Sequence, residues 1–340
     1  MSTDTDQAVK ELLESETRVT LRPRYEGSNI NTWIGFKHVN YVVEEAVLEH
    51  FRTAGLPSRR LFEDHGLGLD IVDLDTRILH AFHQDDLARA VVVPRTKDAD
   101  GQVALAVTLY VERDGEELKA VTSKVRVSLR ADSYLPPVEF PAELARFATP
   151  RLGGTAEAGP WHGRQVTEAA TTALSAGRGT TGADPVLQQL LAGENAFGWK
   201  WRIPYPYCHF NERLQMSGYL RQVEEVVDLF LADRGISIKT LLDDRKWIPV
   251  VPHSRVQVLD EALMEEDLYT VFTVEEVFKD FTYTARTDFY VVRDGRLVQT
   301  ATGRITHGYA VFHDRSDWSL VSFDDHVIGA LKGEPGPAGS

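Results

Sequence analysis

The chain has 340 residues, 43% of them apolar, enough for a buried core in two domains of ordinary size or in one large one. Its 37 basic and 51 acidic residues leave a formal charge of 37 − 51 = −14, which repels phosphate backbones and anionic membranes and argues against nucleic acid or membrane as a partner. No run is long enough to span a membrane, the N-terminal MSTDTDQAVKELLESE lacks the basic start and apolar run of a secretion signal, and the single cysteine, Cys208, has no internal disulfide partner, so a cytoplasmic location is expected.

Residues 1–17 read as an acidic N-terminal extension. A β-like run over Val19–Arg24 then leads through a polar stretch into a predicted helix, where Val39, Val42, Val43, Ala46, Val47 and Phe51 form one apolar stripe. Gly55 stands where a helix needs a residue tolerant of positive φ to stop. Four β-like runs follow, over Leu69–Ile78, Leu87–Val93, Val103–Glu112 and Leu118–Leu129. Arg113-Asp114-Gly115 between the last two is a hairpin signal, since Asp-Gly readily supplies the positive φ angles of a type I′ turn. Residues 149–197, rich in Gly, Ala and Thr and without helix or strand periodicity, read as a linker.

The pattern then returns. A β-like run over Lys200–Tyr205 precedes a helix striped by Leu220, Val223, Val227 and Phe230 and stopped at Gly235. Four more runs follow, over Ile248–Leu259, Leu268–Phe278, Phe281–Val292 and Leu297–Ala310. Val43-Glu44-Glu45 recurs as Val223-Glu224-Glu225, Arg113-Asp114-Gly115 as Arg293-Asp294-Gly295, and Arg22 and Tyr25 as Arg202 and Tyr205; every pair is offset by 180, for example 223 − 43 and 295 − 115. Chance matches would scatter in register, so a constant offset means two copies of one structural unit. Each unit is predicted to be β-α-β-β-β-β, an α+β class, over residues 18–148 and 198–330, with a tail over 331–340.

One helix followed by an antiparallel meander, twice over, resembles the tandem (double) hotdog fold, in which each curved sheet wraps its own central helix. Thioesterases of the hotdog superfamily commonly carry His-x-Asn before that helix, then Tyr-Leu and a Glu five residues after the Tyr; here these are His209-Phe210-Asn211, Tyr219-Leu220 and Glu224. The resemblance implies an enzyme acting on an acyl-CoA or acyl-carrier-protein thioester, without a cofactor. The chain departs from the pattern in one place: RIPYPYC, residues 202–208, has none of the acidic residues that many such enzymes place just before the His. The resemblance also implies a ligand lying between paired units, so that different residues from each half serve one pocket. In keeping with that, His209 and Asn211 fall at the offset on Asn29 and Asn31, and His38 falls on Gly218.

His38 lies in the first turn or so of its helix, on one face with Tyr41, Glu45 and Glu49 and opposite the valine stripe. A histidine near neutral pKa serves as base or acid, and Glu45 is nearly in line with it, although the same residues make an ordinary solvated helix face. His209 is a candidate for the same chemistry beside a helix N-terminus, whose free N–H groups polarise a thioester carbonyl; its bland role is to cap the helix or bond a carbonyl. Asn211 or Asn31 could hold the carbonyl or a water, or cap a helix. The candidate catalytic set is therefore His38, Glu45, His209 and Asn211, with Asn31, Gly35 and Tyr205 as candidate substrate-binding residues. Glu44 and Glu224 sit at the margin of the apolar stripe, where burial would raise a carboxyl pKa toward that of a usable base and pairing with a cation would lower it.

Other readings are weaker. His80, His83 and Asp86 in HAFHQDD invite a metal, but a strand-to-turn stretch with charged neighbours is commonly solvated surface. Cys208 and His209 are chain neighbours, which point to opposite faces in an extended segment. Phosphate-binding loops, a GxSxG elbow and HExxH are missing, and no histidine begins the His-x3-Gly-x4-Pro of the hotdog dehydratases. Thioester hydrolysis is the leading expectation. Non-hydrolytic thioester chemistry (acyl transfer, dehydration or addition to an enoyl thioester) in polyketide or fatty-acid biosynthesis, and silent acyl binding, stay open, as does a homo-oligomer.

Overall fold

A computed structural model of the chain describes residues 2–29, 31–154, 156–168 and 184–334. Parts of two expected segments, 169–183 of the linker and 335–340 of the tail, lie outside the described residues.

In chain order the elements begin with α1 (Ser2–Glu14) and β1 (Thr17–Leu21). Then come the long helix α2 (Phe36–Thr53), the short helix α3 (Ser58–His65), and strands β2 (Leu67–Ile78), β3 (Ala88–Pro94), β4 (Val103–Arg113) and β5 (Glu116–Ala131). After α4 (Ala142–Ala145), β6 (Ala148–Thr149) and α5 (Pro185–Leu191) the pattern repeats. It runs through β7 (Ala196–Arg202), the short strands β8 (Cys208–His209) and β9 (Arg213–Leu214), α6 (Met216–Asp233), α7 (Ile238–Arg245), β10 (Trp247–Val258), β11 (Asp267–Phe278), β12 (Thr282–Arg293) and β13 (Arg296–Phe312). The chain closes with β14 (Trp318–Val321) and α8 (Asp325–Lys332).

The elements keep the offset of 180: α2 and α6, α3 and α7, and β2 and β10 start and end in step. Even irregularities repeat. The β4–β5 ladder shifts register between Leu109 and Tyr110, and the β12–β13 ladder between Phe289 and Tyr290, both 180 apart. Asp114-Gly115 and Asp294-Gly295 both take positive φ, the type I′ conformation that their sequence favours. Gly55 and Gly235 stop their helices at φ 85° and 73°.

Two elements of the repeat escape the sequence reading. α3 and α7 insert a second helix after the first, so each copy reads β-α-α-β-β-β-β. Eight residues give barely two turns, too few for an apolar stripe to show, and each buries one leucine, Leu61 or Leu241. The linker also holds structure. Asp184 caps α5 by accepting from the N–H groups of Val186 (2.9 Å) and Leu187 (3.2 Å), with Pro185 in the first turn.

Two compact units emerge from the contacts. One holds the described residues of Met1–Thr155, Cys208–Ser217 and Arg255–Glu261, the other those of Ala156–Tyr207, Gly218–Ser254 and Ala262–Ser340. In the first, antiparallel strands run in the order β1-β3-β4-β5-β2, and the α2 stripe of Val39, Val43, Val47 and Phe51 is buried. In the second the order is β10-β13-β12-β11-β7, with Leu220, Val223, Val226 and Phe230 of α6 buried. Val186, Leu187 and Leu190 of α5 pack there with Tyr269, Val271, Tyr290 and Leu297. Among the described residues no helix is long and apolar enough to cross a membrane.

The first unit is cross-tied by charge as well as by its core. Arg130 on β5 donates from Nε to Glu261 Oε1 at 2.9 Å, and the same oxygen accepts from the Leu152 N–H at 3.1 Å; both side chains are nearly enclosed. Removing one partner of such a pair strands the other charge in a poorly solvated place. Glu261→Ala is therefore expected to destabilise the protein by about 3–5 kcal/mol in urea unfolding, and Glu261→Gln, which keeps an acceptor, by less.

Candidate active site

The segment before α6 folds as a hairpin. Cys208 pairs with Leu214 and His209 with Arg213, and Phe210 and Asn211 turn the chain at φ 43° and 78°. This hairpin belongs to the first unit and docks on β2. There Asp70, buried in the strand, accepts from His209 Nε2 on one carboxylate oxygen (2.8 Å) and from Arg213 Nη2 on the other (2.8 Å). Close approach is possible because residue 68 is glycine. A Cβ there would lie 2.6 Å from Arg213 Nη2 and 2.9 Å from the Phe210 ring. Phe210 also meets Phe62 of α3, ring centroids 5.0 Å apart, and the Asn211 amide donates to Asp132 Oδ1 at 3.0 Å.

This arrangement sets the chemistry of His209. Burial alone would raise the Asp70 pKa, but the His209 hydrogen bond and the charges of His209 and Arg213 outweigh it and hold the carboxyl below its usual range. An ionised carboxylate only accepts, so Nε2 carries the proton and the lone pair of neutral His209 sits on Nδ1. Among the described residues nothing bonds Nδ1, and the side chain is 29% exposed. Cys208 beside it is no nucleophile: burial, then Glu212, pushes its thiol up to about 11.

The other expected residues lie in separate surroundings. His38 is buried rather than on a solvated face; its Nε2 is 3.5 Å from Glu26 and its ring meets Tyr41 edge-on at 5.0 Å. Residue 27 has to be glycine for this, since a Cβ would lie 2.6 Å from the His38 side chain. Glu45, expected to work with His38, is exposed and pairs with Arg52 at 3.4 Å. Gly35 precedes α2, where a Cβ would meet the Asn29 amide at 2.7 Å, and Asn31 is an exposed turn residue at φ 65°. Tyr205, 74% exposed, belongs to the second unit. Among the described residues no contact joins His38 to His209.

Three residues beyond the sequence candidates shape these surroundings: Asp70, Arg213 and Glu26. A signal for the first two lies in the repeat, since at the offset Asp70 stands against Val250 and Arg213 against Trp33, charge against apolar in elements that are otherwise equivalent. In HAFHQDD, His83 bonds Thr32 at 2.9 Å and Asp86 pairs with Arg113, so both serve local structure. Among the described residues no group of three His, Cys, Asp or Glu side chains is placed to hold a metal.

Residues 204–331 match the Thioesterase-like superfamily, and the second half of the chain thus carries a thioesterase-like hotdog domain. No curated protein matches the chain by sequence. Among solved structures it is similar to a 12:0-ACP thioesterase from Umbellularia californica, with a TM-score of 0.53 at 10% identity over 90% of this chain and 94% of that one. It is also similar to a provisionally assigned oleoyl thioesterase from Lactobacillus plantarum, with a TM-score of 0.52 at 12% identity over 87% and 95%. A third is an acyl-ACP thioesterase from Bacteroides thetaiotaomicron, with a TM-score of 0.50 at 10% identity over 86% and 97%. At such identities the likeness establishes the fold, helices with large antiparallel sheet of the thioesterase kind.

One further carboxyl is set apart by its surroundings. Glu44, on α2, has no hydrogen-bond or ion-pair partner among the described residues, and burial, then Glu45, pushes its pKa from 4.5 up to about 8. The folded chain therefore keeps a proton there that the unfolded chain releases, so this group's contribution to stability falls as pH rises from about 4.5 to about 8 and is level above. Thermal melts across that range should show the decline in the wild type and a shallower one in Glu44→Gln; parallel curves would mean that Glu44 is solvated.

Proposed function

We propose that the chain is a thioester hydrolase built as a double hotdog, with units over 18–148 and 198–330 joined by 149–197, and that it acts on an acyl-CoA or acyl-carrier-protein thioester. The observation that carries the reading is the Asp70–His209 pair, which supplies from β2 the carboxylate missing from the segment before His209. His209 Nδ1 takes a proton from water as its oxygen attacks the thioester carbonyl. The tetrahedral oxyanion needs backbone N–H donors of the kind that the first turn of a helix presents. Collapse breaks the C–S bond, and the imidazolium returns the proton to the leaving thiolate, giving a carboxylic acid and a thiol. Asp70 acts by holding the ring in one tautomer and stabilising its charged form.

His38 with Glu26 is a second base candidate, Asn31, Gly35, Glu45 and Asn211 complete the proposed site set in the first unit, and Tyr205 is a proposed substrate-binding residue of the second. Incubation with a panel of acyl-CoAs, following free thiol and acyl mass together, tests the reaction: thiol release supports hydrolysis, mass change without it means another thioester reaction, and retention alone means binding. His209→Ala should lower turnover about a hundredfold or more at an unchanged melting temperature. Asp70→Asn should lower it as well and alter its pH profile. An equal loss in His38→Ala, with a double mutant no worse than the worse single, would place both histidines in one step. Near-wild-type turnover in His209→Ala would reduce that residue to a structural role.

A further inference from the structure

Beside the docked hairpin, the first unit has a cleft of about 310 Å³ that the proposed mechanism does not use. Its wall is apolar, formed by Phe62 and Gly66 at the end of α3 and by Leu135, Pro137, Val138 and Phe140 of the loop after β5. Leu135 and Val138 are 69% and 48% exposed, and Tyr134 next to them is also exposed. A contiguous apolar patch left open on a charged protein marks a binding surface more often than a scattered leucine does. Pro136 and Pro137 restrict the loop backbone, so it presents these side chains at little ordering cost.

The cleft is continuous with the His209 hairpin. Phe62, in its wall, contacts Phe210, and Asp132, on its rim, accepts from Asn211. Glu212 bonds the Tyr134 hydroxyl, raising that phenol's pKa, so a third hairpin residue is tied to the loop. Its ionisable lining is Glu63, Asp132 and His65, two carboxylates to one imidazole, which disfavours a phosphate or carboxylate head and suits an uncharged chain. The volume lies at the small end of ligand pockets, roughly 300–1,000 Å³, enough for part of an aliphatic chain and too little for a nucleotide-bearing head group.

We infer that this cleft holds the aliphatic part of the acyl group, so that the loop of residues 132–140 selects substrates by chain length. The inference rests on the thioester reading of the His209 site. Turnover of acetyl-, hexanoyl- and dodecanoyl-CoA should show KM falling with chain length, at most about fourfold for each buried methylene. Leu135→Asp and Val138→Asp change exposed side chains, so folding should be unaffected, which melting temperatures check. Each should raise KM for dodecanoyl-CoA tenfold or more, leaving kcat and the kcat/KM for acetyl-CoA within twofold. An unchanged KM for dodecanoyl-CoA in both variants overturns the inference. Calorimetric titration with decan-1-ol, which has neither thioester nor charge, decides the case even if no acyl-CoA is hydrolysed. Binding to the wild type that weakens tenfold or more in Leu135→Asp supports the cleft, whereas no binding, or equal binding to both proteins, overturns it.

Discussion

A buried carboxylate inside a β-strand is tolerated only if hydrogen-bond donors or cations come to it, and around Asp70 the imidazole and the guanidinium that do so arrive together on one hairpin, 139 and 143 residues further along the chain. The dependence runs both ways. Without the hairpin, Asp70 would be an uncompensated charge in β2; without Asp70, Arg213 would be an enclosed guanidinium lacking its carboxylate. The glycine at 68 gives the hairpin its close seat, and the Phe62–Phe210 and Asn211–Asp132 contacts extend the same docking to α3 and to the loop after β5. The orientation of His209 and the wall of the neighbouring cleft therefore follow from one electrostatic requirement.

The repeat makes that requirement visible by contrast. The helices α2 and α6 and α3 and α7, strands β2 and β10, and the ladder irregularities at Leu109 and Phe289 match between copies to the residue, because the two copies solve the same packing problem. The charged positions are not shared: Asp70, His209 and Arg213 stand against Val250, Asn29 and Trp33, while His38, Glu26 and Gly27 stand against Gly218, Pro206 and Tyr207. A duplicated fold keeps what its core demands, and differences at its helix entrances are free to become chemistry. Each copy has a histidine near the start of its long helix, but they occupy different positions and meet different carboxylates.

Much of the fold was legible in the sequence because apolar stripes and strand runs are long relative to their periods, as in Val39–Phe51 and Leu297–Ala310. The eight-residue helices α3 and α7 were not, since two turns with one buried leucine each carry no periodic signal. Nor was α5, whose Asp184 cap lies in a stretch dominated by glycine and threonine. Of the site, His209 and Asn211 could be found from their spacing to the helix. Asp70 could not be found that way, because its partnership depends on which strand the hairpin docks against, which local spacing does not encode. Glu45 looked aligned with His38 by helical angle, yet Arg52, one turn and more along, takes its charge at the surface.

The acidic residues show why residue type alone assigns no role. Asp70, Glu44 and Glu45 are all carboxylates on or beside the apolar faces of the first unit, and at the first two burial pushes the pKa upward. What separates them is the partner. At Asp70, the interactions with His209 and Arg213 outweigh burial and hold the carboxyl below its usual range, which suits it to holding a histidine and not to moving protons itself. At Glu44 no cation answers, and the group is left near neutrality, protonated at the pH where Asp70 is charged and able to exchange a proton at mildly alkaline pH. Glu45, one residue further, turns outward to Arg52 and keeps water. In this fold a carboxylate's role is decided by the side chains brought opposite it, so the docking of residues 208–214 onto β2 determines the chemistry as much as the residues' own identities do.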